Sequence, residues 1–203
     1  MIDKICEFLT NKIRKEMPEI DDERAEVINY GLQNIIGEIP KFFIALAIGG
    51  ILGIFELTLW TFLIIMPYKA FSGGFHLKTH IGCILCTTAY FCGIAVLSKY
   101  IFLSQTIKYI IIPLIWIFGL WMIKLYAPAD TENVPILRKK DRKKKQILSY
   151  IALTVGLIVA LFIPNNEIAN ILIIGYFIQT LCITKLAYKL TNNKYGYEVY
   201  GNT

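Results

Sequence analysis

Residues 138–163 read RKKDRKKKQILSYIALTVGLIVALFI, and this stretch decides the fold class. Its second part, residues 147–163, is 17 residues long and carries no charge. Its first part, Arg138 to Lys145, holds seven bases and one acid. An uncharged apolar run of this length approaches the ~20 residues that cross a hydrocarbon core. A Lys/Arg block beside such a run marks the cytoplasmic side. Downstream, Pro164-Asn165-Asn166-Glu167 forms a short polar turn before a further apolar segment at 168–187. Upstream lie 106–124, interrupted by Pro113, and 80–98, which begins polar and becomes apolar.

The composition agrees. The chain has 203 residues, of which 56% are apolar and 18% charged; its mean hydropathy is +0.54. Soluble domains sit near ~45–50% apolar and ~25% charged. An ordinary soluble globule and a disordered chain are both excluded. The net charge is +6, and outside residues 138–145 bases and acids balance at 14 each. A basic patch confined to one loop between membrane-grade segments argues against nucleic acid. It fits a topology signal, an anionic-lipid contact or an acidic-peptide contact.

The predicted architecture is an all-α polytopic membrane protein, one membrane domain over 1–203. Residues 1–18 place Ile2, Ile5, Leu9, Ile13 and Met17 at helical spacing. Such a helix lies in the membrane interface or packs on the protein's own inner face. Asp21-Asp22-Glu23 read as the acidic first turn of a second helix. The region from Phe42 to Met66, broken by Glu56, is one tilted span or two short segments, about 32–54 and 57–68. The second of these is short enough to be re-entrant. Gly49, Gly50 and Gly53 offer small-residue packing surfaces. Loop charge favours the split: about six segments, both termini cytoplasmic, with the 68–79 loop, the 125–146 basic loop and the 188–203 tail inside. Trp60, Trp116, Trp121 and the tail tyrosines Tyr188, Tyr195, Tyr197 and Tyr200 read as interfacial anchors.

Both histidines of the chain, His76 and His80, lie within seven residues of Cys83. A cysteine nucleophile needs a nearby base to form thiolate. In a continuous helix His76 and Cys83 would lie ~10.5 Å apart along the axis at ~1.5 Å per residue, too far for a base that must come to ~3 Å. Gly73-Gly74 permits the chain before the helix to fold back. A helix starting near Thr79 or His80 would put Cys83 in its first turns, where the helix N-terminus favours thiolate. His80, three residues before Cys83, is the rival base, and spacing does not choose between them. The five cysteines, Cys6, Cys83, Cys86, Cys92 and Cys182, show no paired CxxC pattern. A disulfide scaffold and a structural zinc site are therefore disfavoured, and no cofactor is expected. Asp130 and a backbone carbonyl are equal candidates for the group that orients the base.

Gly73-Gly74-Phe75-His76 with Cys83 seven residues on, and Tyr126-Ala127-Pro128-Ala129-Asp130-Thr131-Glu132-Asn133-Val134-Pro135-Ile136, together resemble the accessory gene regulator protein B (AgrB) family. The resemblance runs over the whole chain. It implies a membrane-embedded cysteine endopeptidase of Gram-positive bacteria that cuts the C-terminal tail from an AgrD-type propeptide. It assigns His76 and Cys83 as the catalytic pair, and a thioester that a cysteine of the peptide attacks to give a cyclic thiolactone for quorum sensing. It further implies a homodimer, and a substrate contact by the basic run, including Arg138, Lys139 and Lys140. Lys69 stands where the family commonly has arginine. It keeps the charge but loses a planar bidentate contact. Lys69, Gly73, Gly74 and Asp130 complete the expected substrate-binding set. The competing expectations are a non-enzymatic peptide transporter or scaffold, for which Cys83→Ala is silent, and a thiol acyltransferase with a lipid acyl donor.

Overall fold

The computed structural model describes residues 2–77, 79–132, 135–136 and 138–200. Among these the chain is helical, with no strand longer than a single bridge. The order is α1 (Ile2–Glu16), α2 (Asp22–Ile51), α3 (Phe55–Ser72), α4 (His80–Tyr100), α5 (Gln105–Tyr126), α6 (Lys139–Phe162), α7 (Asn166–Cys182), α8 (Lys185–Leu190) and α9 (Gly196–Tyr200). Three stretches are long and apolar enough to cross a bilayer: Ile81–Tyr100, Gln105–Tyr126 and Lys139–Phe162; α7 is a shorter apolar helix.

The helix ends follow local chemistry. Asp21 caps α2 by accepting from the Arg24 N–H at 2.8 Å. Ser104, Asn165 and Thr184 cap α5, α7 and α8 in the same way, satisfying N–H groups that a helix start leaves bare. The acidic turn at Asp21-Asp22 does open a helix. That helix runs on through Pro40 to Ile51. The region is split as one expected alternative had it, but the break lies at Leu52, Gly53 and Ile54 rather than at Phe55-Glu56: Gly53 turns at φ 68° and α3 begins at Phe55. Glu56 sits in the first turn of α3, where an acid suits the helix dipole. Gly49 lets α2 and α3 close on each other: a Cβ there would collide with the Thr58 side chain.

Two expected loops are shorter than their sequence suggested. α3 continues through Ser72, so the first loop is 73–79. Lys139 to Gln146 are already helical, so the second is 127–138. Lys, Arg and Gln are good helix formers, and a basic stretch continuous with an apolar one propagates the helix.

α7 lies at the centre, packed by α3, α4, α5 and α6. Its buried residues include Ile171, Leu172, Ile173 and Tyr176, but also Asn170, Gln179 and Thr180. α1 packs on α2 through buried Cys6 and Thr10, leaving Ile5 and Phe8 outward. The tail tyrosines are not interfacial anchors in this fold. Tyr188 and Tyr195 are each 2% exposed, with rings stacked at 4.0 Å, and Tyr197 stacks on Tyr195 at 5.0 Å. The Tyr200 side chain lies outside the described residues. Trp60 and Trp121 are outward-facing, and Trp116 donates from Nε1 to Thr154 Oγ1 at 3.0 Å.

Candidate active site

α3 ends at Ser72 because the next two residues leave helical space: Gly73 has φ 77° and Gly74 φ 146°. A side chain at Gly73 would be strained in φ and would also strike the Ala129 backbone. The loop after α5 approaches here. Ala129 N–H donates to Ser72 O at 2.8 Å, and Gly74 N–H donates to Ala129 O at 2.9 Å, a two-bond parallel bridge. Gln179 of α7, fully buried, donates from Nε2 to Gly73 O at 2.8 Å and to Ser72 Oγ at 3.0 Å. Its Oε1 accepts from the Tyr90 hydroxyl at 2.9 Å. Beyond the turn, Asn193 Nδ2 donates to His76 O at 2.9 Å. Thr79 then caps α4, its Oγ1 accepting from Gly82 N–H at 3.2 Å.

The result is that the chain doubles back and His76 and Cys83 line one small cleft, about 40 Å³ in volume. Cys83 lies in the first turn of α4, where its own N–H donates to Thr79 O at 2.9 Å. Lys69 of α3, Cys86 and Tyr90 of α4, Cys182 of α7 and Glu38 of α2 line the same cleft. Glu38 is the one carboxylate among these lining residues. It pairs with Lys41, whose side chain is 8% exposed. The Lys69 ammonium stands 5.1 Å over the Tyr90 ring.

His76 is exposed, and Phe75 and Leu77 line the cleft together with it. Its pKa is pushed below the ordinary histidine value, first by desolvation and next by the Lys69 charge; Glu38 opposes this and Lys41 adds to it. That direction favours the neutral ring, the form that accepts a proton. The His80 side chain lies outside the described residues.

Other sequence candidates fall elsewhere. Asp130 does not line the cleft. Its Oδ2 accepts from Ile136 N–H at 2.9 Å and pairs with Arg142, which also lies over the Tyr197 ring at 5.0 Å. Placed there, Asp130 ties down the loop whose Ala129 pairs with Gly73. Tyr188 helps it, its hydroxyl donating to Ala129 O at 2.8 Å and to Asp130 O at 3.1 Å. Arg138, Lys139 and Lys140 are exposed at the start of α6 and line no part of the cleft. Among the described residues no cluster of three or more His, Cys, Asp or Glu side chains is placed to hold a metal ion.

Four residues escaped the sequence reading: Glu38, Lys41, Gln179 and Asn193. The first pair had a signal, an acid and a base three apart at the edge of an apolar run. Gln179 had one too, an amide inside an apolar helix, which must find partners within the protein. Asn193 had none.

The profile of the family described as accessory gene regulator B matches residues 6–183. An AgrB-like protein of Listeria innocua is 30% identical over 189 residues, covering 93% of this chain and 91% of its own length. An AgrB-like protein of Clostridium perfringens is 30% identical over 169 residues, covering 78% and 75%. One of Clostridium beijerinckii is 28% identical over 154 residues, covering 76% and 74%. No solved structure matches the chain.

Proposed function

The chain belongs to the accessory gene regulator B family, and from that premise we propose that it is a membrane-embedded cysteine endopeptidase acting on an AgrD-type propeptide. The family serves the agr quorum-sensing system. The observation that carries the enzymatic reading is the shared cleft: a cysteine at a capped helix start and a histidine whose neutral form is favoured, brought together by a glycine turn.

In this reading the neutral His76 imidazole takes the Cys83 thiol proton. The sulfur attacks the scissile carbonyl carbon, and the carbonyl π electrons move to oxygen. When the tetrahedral adduct collapses, the carbon–nitrogen bond breaks and the imidazolium gives its proton to the leaving amine. The tail departs and a thioester remains on Cys83. The thiolate of a cysteine within the peptide then attacks that thioester. A thiolactone forms and the Cys83 sulfur is released. Exchange of one thioester for another is near neutral in energy, so exclusion of water decides the yield. The narrowness of the cleft favours the second thiol over solvent.

The proposed arrangement in the membrane has α2 to α7 crossing, with both termini and the cleft at the cytoplasmic side. The bonds among Ser72, Ala129, Gln179 and Asn193 gather the first loop, the second loop, the end of α7 and the tail at one end of the bundle, as that topology requires. The α1 helix would lie along the inner interface with Ile5 and Phe8 toward lipid. Family membership is the support for a homodimer as the working unit.

The test uses purified protein in vesicles with a propeptide. Mass spectrometry should find a Cys83-linked peptide in the wild type and none in His76→Ala or Cys83→Ala. Tail release by Cys83→Ala would overturn the proposal in favour of a carrier without covalent chemistry. A fatty acyl group on Cys83 in place of peptide would favour the acyltransferase.

A further inference from the structure

After α7 the chain stays on the bundle. α8 begins at Lys185, and the segment turns at Asn192, whose φ of 53° is a left-handed conformation that asparagine tolerates. It then runs along the loop that follows α5. Gly196 lies so close to that loop that a Cβ there would meet the Asp130 carboxylate. Tyr188 holds the same loop through Ala129 O and Asp130 O. Tyr195 donates from its hydroxyl to Ile183 O at 2.9 Å and stacks on Tyr188 and Tyr197. These residues lie beyond position 183, where the stretch matched by the family profile ends. Asn193 stands within this anchored segment. Its backbone N–H donates to Tyr188 O at 2.9 Å, and its Nδ2 donates to Thr191 Oγ1 at 2.9 Å and to His76 O at 2.9 Å. The side chain is thus oriented by the tail itself before it reaches the catalytic turn. That turn has little stiffness of its own: Gly73 and Gly74 have positive φ, and His76 is exposed.

We propose that residues 185–197 are a strap across the catalytic turn, and that Asn193 is its latch, a positioning residue that aims the His76 imidazole at Cys83 by holding the His76 carbonyl. The inference rests on the protease reading above and goes beyond it by giving this C-terminal segment a share in the rate. A base must come to about 3 Å from the proton it takes, and a misplacement of about 1 Å can cost about a hundredfold. The bond to His76 O fixes the peptide plane that follows the histidine. It engages the carbonyl and not the ring, so the ring nitrogens keep their part in proton transfer. No residue of the strap lines the cleft, so the strap acts through His76 and not on the propeptide. One hydrogen bond at the surface contributes little to the stability of a bundle, so its loss belongs to the rate.

The experiment measures release of the propeptide tail by the full-length protein in vesicles, as kcat and KM, beside the thermal unfolding of each protein. Asn193→Ala removes the donor. Asn193→Asp keeps the shape and replaces the donor by a carboxylate, so it serves also if the alanine variant does not fold. Each should lower kcat about tenfold to a hundredfold. Each should leave KM within about twofold of wild type and the unfolding transition within about two degrees. A wild-type kcat in both variants overturns the inference. So does a rise in KM with kcat unchanged, which would put the strap on the propeptide. Loss of folded protein in both variants overturns it as well, because the amide would then hold the bundle and not the ring. The protease reading fails separately, through release of the propeptide tail by Cys83→Ala, in which Asn193 is untouched.

Discussion

Neutral imidazole is the working form of His76 as a base, and its neighbours decide the pH at which that form is lost. Desolvation and Lys69 lower its pKa, Glu38 raises it, and Lys41 lowers it again. The net direction is down, so the acid limb of kcat/KM for tail release should fall below the ordinary histidine value of about 6.5. The sign of each substitution follows. Lys69→Gln removes a lowering charge and should move the limb up toward about 6.5. Glu38→Gln removes the raising charge and should move it further down. A limb that stays put in both variants would show that these charges do not reach the ring. At this scale the sequence was half legible. His76 and Cys83 could be paired because a glycine turn and a helix start lie within eight residues of each other. Glu38 and Lys41 could not be joined to them. They lie some forty residues upstream on another helix, and periodicity does not say which face meets which neighbour.

The catalytic turn is held by elements distant in sequence, and the second loop and α7 carry most of the load. Gln179 makes three hydrogen bonds through one buried amide. Gln179→Leu would leave Gly73 O and the Tyr90 hydroxyl without those partners. It should lower stability by about 1–3 kcal/mol, and it should reduce kcat more than it raises KM, because His76 would no longer be held in place. An effect on KM alone would count against a positioning role. Arg142 belongs to the same support. The Asp130 side chain is 1% exposed, so Arg142→Gln leaves a buried carboxylate uncompensated, at a loss of about 3–5 kcal/mol. Thermal unfolding would register it, and a transition within a degree or two of wild type would be inconsistent with the buried pair. The remaining bases of the run behave differently. Lys139, Lys140, Lys143 and Lys144 crowd the positive end of α6, where the dipole opposes them. If they recruit an acidic tail, wild-type cleavage should weaken as salt rises, and a variant with all four changed to glutamine should cleave more slowly and with little salt dependence. Equal rates at low salt would leave them with topology alone. The sequence marked the whole run as one feature; only the fold separates Arg142, which is structural, from its exposed neighbours.

Viewed as a whole, the molecule is apolar outside as well as inside. Ile110, Leu114, Ile117 and Trp121 of α5 are about 60% exposed, as are Ile151, Val155 and Ile158 of α6 at about half. A groove of about 960 Å³ between α3 and α6, lined by Leu63, Val155 and Tyr176 among others, continues this surface. Lipid, not water, is the solvent that such a surface fits. At ~1.5 Å per residue the 22 residues of α5 reach ~33 Å and the 17 of α7 ~26 Å, close to the ~30 Å of a hydrocarbon core. Membrane residence was legible because it depends on composition summed along a segment. The central place of α7 was not, since its apolarity is close to that of α3 and α4; the buried Asn170, Gln179 and Thr180 are its polar marks. Polar ties also close the end opposite the cleft. Lys108 donates to Asn166 Oδ1 at 2.7 Å and Asn170 Nδ2 to Ile101 O at 2.6 Å. These two ends should lie on opposite sides of the bilayer. A cysteine at Pro164→Cys, in the turn before α7, should therefore react with an impermeant maleimide on intact cells. A cysteine at Lys139→Cys should react only after the membrane is opened. The alternation of α5, α6 and α7 leaves no room for both to be labelled from one side, so that result would mean that α6 does not cross.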